Sequence, residues 1–122
     1  MDNNDMPPAL AALVDESENF AEELHAAIEL PLFDDSARLS VSDIACSMSL
    51  EHWAAVRALF AVGLMPSGLV VHRAQFESLV RAIWVLYAAS DADLFKLSDK
   101  LTLESEQGAK NMPQLIAMMD DL

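Results

Sequence analysis

Six residues between positions 52 and 81 carry side chains able to move a proton or hold an anion: His52, Arg57, His72, Arg73, Glu77 and Arg81. An imidazole titrates near neutral pH, so His52 or His72 is the group to do acid–base work. A guanidinium offers a planar fork of donors to a carboxylate or phosphate. In "VVHRAQFESLVRAIWVLYAAS", Arg73, Glu77 and Arg81 step by four residues and form one ladder on a helix, with Trp84 beyond it. Two chemistries suit this set. The catalytic candidates His52, His72, Arg73 and Glu77 make a polar pocket for an anion or for proton transfer. Alternatively His52, Arg57, Arg73, Glu77 and Arg81 make a structural ion network that fixes how two helices pack. With one acid in the group and no recognisable nucleophile, the structural network is the favoured expectation.

No metal or cofactor is expected. His25, His52 and His72 are scattered and Cys46 stands alone, a poor donor set for a metal ion. Gly63, Gly68 and Gly108 occur singly, so no phosphate-cradling loop exists, and Ser67 in "PSG" reads as a turn residue. His25 reads as a surface residue, and Cys46 as a small buried hydrophobe.

The elements that position these residues read as helices throughout. Leu10, Leu13, Val14, Ser17, Ala21, Leu24 and Ile28 make a stripe over Pro7–Glu29, capped by Asp5 and ended by Pro31. Leu30–Leu39 reads as a loop anchored by Phe33. "SVSD" offers Ser40 as a cap and Asp43 in the box position, so a second helix is expected over 41–64. Its stripe is Val41, Ile44, Ala45, Met48, His52, Ala55, Val56, Leu59 and Val62. "MPSG" reads as a break, followed by a third helix over 68–89. Its main apolar face is Phe76, Leu79, Ile83, Leu86 and Tyr87, with His72 pointing into it and Val80 and Trp84 flanking the charged ladder. So short a turn makes the two helices an antiparallel hairpin. Symmetry about Pro66–Ser67 then sets Arg57 near Arg73 and Glu77, and His52 near Val80, Arg81 and Trp84. A fourth helix starts at Ser90 with Asp93 in its box and buries Leu94, Leu97 and Leu101. A last helix starts at Asn111, with Pro113 and Gln114 in its first turn. The expected fold is all-α: a single domain over 1–122 (with 1–6 disordered), an antiparallel bundle on a long central hairpin.

Charge narrows the partners. The net charge is −13 over 122 residues. Residues 1–35 hold ten acids and no Lys or Arg, whereas residues 36–90 are nearly neutral. Such a surface repels phosphate backbones and anionic lipids, so direct nucleic-acid binding and membrane association are not expected. Asp15, Glu16, Glu18, Glu22 and Glu23 on the first helix form an acidic face fit to meet a basic protein surface. "MDNNDMPP" lacks the basic and apolar regions of a signal peptide. Ala58–Val71, the longest uncharged run, is too short to span a bilayer. A cytoplasmic protein is expected.

The stretch "SLEHWAAVRALFAVGLMPSGLVVHRAQFESLVRAIWVLYAAS" resembles the core hairpin of an uncharacterised bacterial all-helical family. The resemblance rests on Glu51, His52, Arg57, Arg73, Gln75, Phe76, Glu77, Val80, Arg81 and Trp84, and "LTLESEQGAKNMPQLIAMM" is similar to the segment that follows. That family is similar in layout to HEPN-like bundles of bacterial defence systems. The resemblance implies dimerisation through helices and, in active members, RNA cleavage by an Arg followed shortly by a His on the last long helix. None of Arg38, Arg57, Arg73 and Arg81 has a His at that spacing. It also implies a further His-bearing helix past Leu122, so the chain reads as a shortened member or part of one. The expected function is a non-catalytic protein-interaction module, HEPN-like and homodimeric, acting in bacterial or phage conflict. The alternative is an acidic inhibitor that masks the nucleic-acid-binding surface of a defence complex. The third reading is a ribonuclease-like remnant.

Overall fold

The computed structural model describes residues 6–99 and 112–122. It is an all-α antiparallel bundle, with no strand among the described residues. Its helices are α1 (Pro8–Ile28), α2 (Ala37–Ala61), α3 (Met65–Tyr87), α4 (Asp91–Ser98) and α5 (Leu115–Asp120). The expected roles of Asp5, Leu101 and Asn111, and of residues 1–5, fall outside the described residues.

The hairpin of α2 and α3 is as expected, but both its ends are displaced. At its start, α2 begins a turn earlier than Ser40 implies. Ser36 is the cap, its Oγ accepting from Leu39 N at 3.3 Å and its carbonyl from Ser40 N at 3.0 Å. Ser40 and Asp43 are therefore interior helical residues. At the other end, α2 stops at Gly63 rather than at "MPSG". Gly63 sits at φ 78°, where an L side chain is strained. Gly63 N donates to Phe60 O at 3.0 Å and Leu64 N to Leu59 O at 2.8 Å, the paired bonds of a Schellman ending. Pro66 then lies in the first turn of α3, where its missing N–H has no partner to lose.

Moving the turn from Pro66–Ser67 to Gly63 shifts the register. Ser42 Oγ donates to Ala82 O at 2.8 Å, whereas symmetry about Pro66–Ser67 would set Ser42 against residue 90. Gly68 is packed on the Phe60 ring, where that symmetry would have placed residue 72. The slip is about one to two helical turns.

The chain packs as two compact units, Met1–Pro31 with Leu50–Gln75 and Leu32–Ser49 with Phe76–Leu122. In the first, Ala21 of α1 and Val56 of α2 are buried. Phe20 tilts against Trp53, ring centroids 5.7 Å apart. His25 Nδ1 donates to Ala21 O at 2.7 Å, so this surface histidine folds back on its own helix. Leu13 and Ile28, expected to face inward, are exposed.

The second unit holds the main core: Val80, Trp84, Val85, Ala89 and Met118, with Val41, Leu94, Met112 and Leu115 packed against it. Trp84 is 1% exposed, and its Nε1 donates to Asp121 Oδ2 at 3.1 Å. Ser90 caps α4 as expected, accepting from Asp93 N at 3.1 Å. Cys46 is half-buried and Phe33, the expected loop anchor, is exposed. The expected apolar face of α3 is largely turned outward: Phe76, Leu79, Ile83 and Tyr87 are all exposed. The core instead takes Val80, Trp84 and Val85, two of which had been placed beside the charged ladder.

Candidate functional site

The polar residues of the hairpin divide between the two units. His52, Arg57, His72 and Arg73 belong to the first unit, and Glu77 and Arg81 to the second. Arg57 is half-buried. It shares a cleft with Leu69, His72 and Gln75, and its guanidinium carbon lies 4.8 Å from the centre of the Trp53 ring. His52 is half-buried, and His72 is exposed rather than inserted in an apolar face. His72 Nδ1 lies 3.1 Å from Gln75 Oε1. In this pairing the ring N–H donates and the amide oxygen accepts. Arg73 and Glu77 each make interactions of their own. Arg81 is exposed at the wall of a second, largely apolar cleft of about 350 Å³, with Ile44, Met48 and Trp84.

The first cleft is built upward from helix spacing. Trp53 and Arg57 are one turn apart on α2, which sets the cation over the indole face. Trp53 Nε1 donates to Ser17 Oγ of α1 at 2.9 Å, which fixes the ring plane. Leu10, Leu13 and Val14 of α1, Val56 and Phe60 of α2 and Leu69 of α3 supply apolar walls to a space of about 450 Å³. Gly68 is buried against Phe60, and the absence of a side chain there lets the ring approach α3 closely. Nη1 of Arg57 is fully buried and has no hydrogen-bond partner among the described residues. Buried donors without acceptors are rare in folded proteins. A partly desolvated guanidinium among apolar walls suits an anion with an apolar body.

The sequence reading passed over Trp53, although its one-turn spacing from Arg57 was legible. It also passed over Arg38, because residues 30–39 read as a loop. Arg38 Nη1 donates to Val85 O at 2.6 Å and Ala89 O at 2.8 Å, and Nη2 to Asp91 Oδ1 at 2.9 Å. Ser36, a competing cap two residues earlier, was the signal that could have put Arg38 on a helix.

Asp15, Glu16, Glu18, Glu22 and Glu23 are all exposed on α1. Among the described residues no three His, Cys, Asp or Glu gather as a metal would need, and no helix is long and apolar enough to cross a membrane. In the loop before α2, Ser36 lowers the pKa of Asp34, first through its side chain and then through its backbone N–H at 2.8 Å.

No curated protein and no solved structure matches the chain. A family model does match, over residues 46–122, so it covers Trp53, Arg57, His72 and Trp84 but neither α1 nor Arg38. The chain belongs to that family, a family of unknown function (DUF6988).

Proposed function

We propose that this chain is a non-catalytic, HEPN-like helical interaction module that works as a cytoplasmic homodimer, with a role in bacterial or phage conflict. What supports the reading is one stripe on α3. Phe76, Leu79, Ile83 and Tyr87 are spaced three, four and four apart and are 45%, 41%, 39% and 77% exposed. That spacing keeps them on one side of the helix, the pattern by which helices pair. A second copy is the occupant that the charge distribution favours. The stripe lies within residues 36–90, the near-neutral part of a chain with net charge −13. Two copies can join there without setting acidic segments face to face, and a two-fold pairing makes the stripe its own partner. The test is light scattering on the eluting protein at micromolar concentration. A dimer is expected for the native chain, and a monomer of unchanged helicity for Leu79→Glu/Ile83→Glu. A native monomer at that concentration overturns the proposal.

The exposure of five acids on α1, a helix without Lys or Arg, favours a second reading. Here α1 docks on a basic protein surface and masks it from nucleic acid. Reversing Glu16, Glu18, Glu22 and Glu23 then abolishes capture of the basic partner. Capture that is insensitive to salt refutes this reading.

A further inference from the structure

We infer that the cleft of the first unit is a binding site for an amphiphilic carboxylate, a small molecule with one carboxylate head on an alkyl or aryl body. At about 450 Å³ the space falls within the range of small-molecule pockets, roughly 300–1,000 Å³. Its walls divide the work between two kinds of group. Leu10, Leu13, Val14, Phe60 and Leu69 offer only hydrocarbon or ring surface. Arg57 is the one described lining residue with a permanent charge.

Three observations make Arg57 a recognition group rather than a snorkelling surface cation. Its guanidinium is half-buried and stacked on Trp53 at 4.8 Å. Trp53 is itself held by Ser17 at 2.9 Å, so the cation rests on a fixed plane and little order remains to be gained on binding. Its Nη1 is out of contact with solvent and has no acceptor among the described residues, so the cation has already lost part of its hydration. A carboxylate in the cleft offsets that loss by accepting from the part of the guanidinium that lines the space, an interaction strengthened by apolar surroundings. A cationic ligand is repelled and a neutral one leaves the donor unmatched. A phosphate carries more charge than one guanidinium balances, and a bare small anion leaves the apolar walls wet. The cleft therefore selects for head and body together.

The experiment is calorimetric titration of the whole protein with sodium octanoate, octanol, octylamine and sodium acetate, with the Trp53 indole N–H followed by NMR. Octanoate should bind saturably at one site and shift the Trp53 signal. Octanol, octylamine and acetate should each bind at least about tenfold more weakly, the scale of one charge-assisted hydrogen bond. Arg57→Gln should weaken octanoate by about tenfold or more and leave octanol unchanged. Leu69→Trp, at an exposed lining position, keeps the charge but fills the space, and should abolish octanoate binding even if Arg57→Gln fails to fold. Equal affinity for octanoate and octanol, no binding of octanoate, or octanoate binding unchanged in Leu69→Trp overturns the inference.

Discussion

Arg38 fastens the end of α3, and its removal should be among the most damaging single changes in the second unit. The backbone at that end is short of donors. Ala88 N and Ala89 N both donate to Trp84 O at 2.8 Å, so Val85 O does not receive the bond that a continuing helix would give it from Ala89. Arg38 supplies the donors instead, to Val85 O and Ala89 O, and reaches on to Asp91 in the first turn of α4. A hydrogen bond from a charged donor contributes about 1.5–3 kcal/mol, and a cation at a helix C-terminus adds about 0.3–1 kcal/mol. The Arg38 side chain is 27% exposed, so water replaces part of what is lost. Arg38→Ala should therefore cost about 2–4 kcal/mol, or roughly 3–6 °C of melting temperature per kcal/mol at this chain length. Asp91→Ala should cost less than about 1 kcal/mol, because the Asp91 side chain is 99% exposed and its ion pair is largely screened. Arg38→Lys should recover less than half of the loss, since one ammonium cannot span both carbonyls and the carboxylate. Urea unfolding followed by circular dichroism measures all three, and amide exchange at Ala88 and Ala89 locates the effect. Equal losses for Arg38→Ala and Asp91→Ala would refute the reasoning, because they would put the energy in the surface ion pair.

Gly68→Ala sets two effects against each other: a helix-propensity gain of about 1 kcal/mol, and a methyl that overlaps Cε1 and Cδ1 of Phe60. Overpacking costs about 1–3 kcal/mol, so thermal melting should show a net loss of about 1 kcal/mol, and a gain in stability would mean that the ring swings away freely. Trp84→Phe keeps an aromatic ring in the core but leaves Asp121 without its indole donor; chemical denaturation should show a loss of about 2–3 kcal/mol, against about 1 kcal/mol for Asp121→Ala. Asp34 should titrate below the usual aspartate range by carboxyl NMR, and Ser36→Ala should raise its midpoint by removing the larger of its two stabilising bonds. Because that folded-state pKa is depressed, the stability it contributes is present above the unfolded pKa and is lost as pH falls through the folded one. The same substitution removes the cap of α2 and should cost about 1 kcal/mol at neutral pH.

Helix identity was readable because caps and breakers mark ends locally: Ser90 with Asp93, the prolines before α1, and the long uninterrupted patterns of α2 and α3. The hairpin itself followed from the short connection. Its register did not, because two breakers compete within six residues. Gly63 satisfies the carbonyls of α2, while Pro66 fits the first turn of α3, and reading the proline as the break moved every cross-helix pairing by a turn or more. The expected juxtaposition of Arg57 with Arg73 and Glu77 rested on that pairing. The stacking of Arg57 over Trp53 needs only spacing along α2 and was open to the sequence from the start.

The inversion of α3 has a deeper cause than register. Its residues are apolar almost all round, so hydrophobic periodicity cannot say which side is inside. Size can. On α2, Ser42, Ser49 and Val56 are the buried positions, seven apart. On α3 the buried small residues are Gly68 and Ala82, fourteen apart, and Ala89 follows seven further on, just past the helix end. Small side chains let two helix backbones approach closely, and the pairing of Ser42 with the Ala82 carbonyl shows how near they come. A reading weighted by hydrophobicity skips Ser42 and Ser49 as polar and Gly68 as a turn, and so discards the residues that form the close face. With the buried side of α3 taken by Ala82 together with Val80, Trp84 and Val85, the row of Phe76, Leu79, Ile83 and Tyr87 is left exposed. The exposure of Phe76, Leu79, Ile83 and Tyr87 thus goes with the burial of Val80, Ala82, Trp84 and Val85 on the rest of α3, which is why the face expected as core lies at the surface.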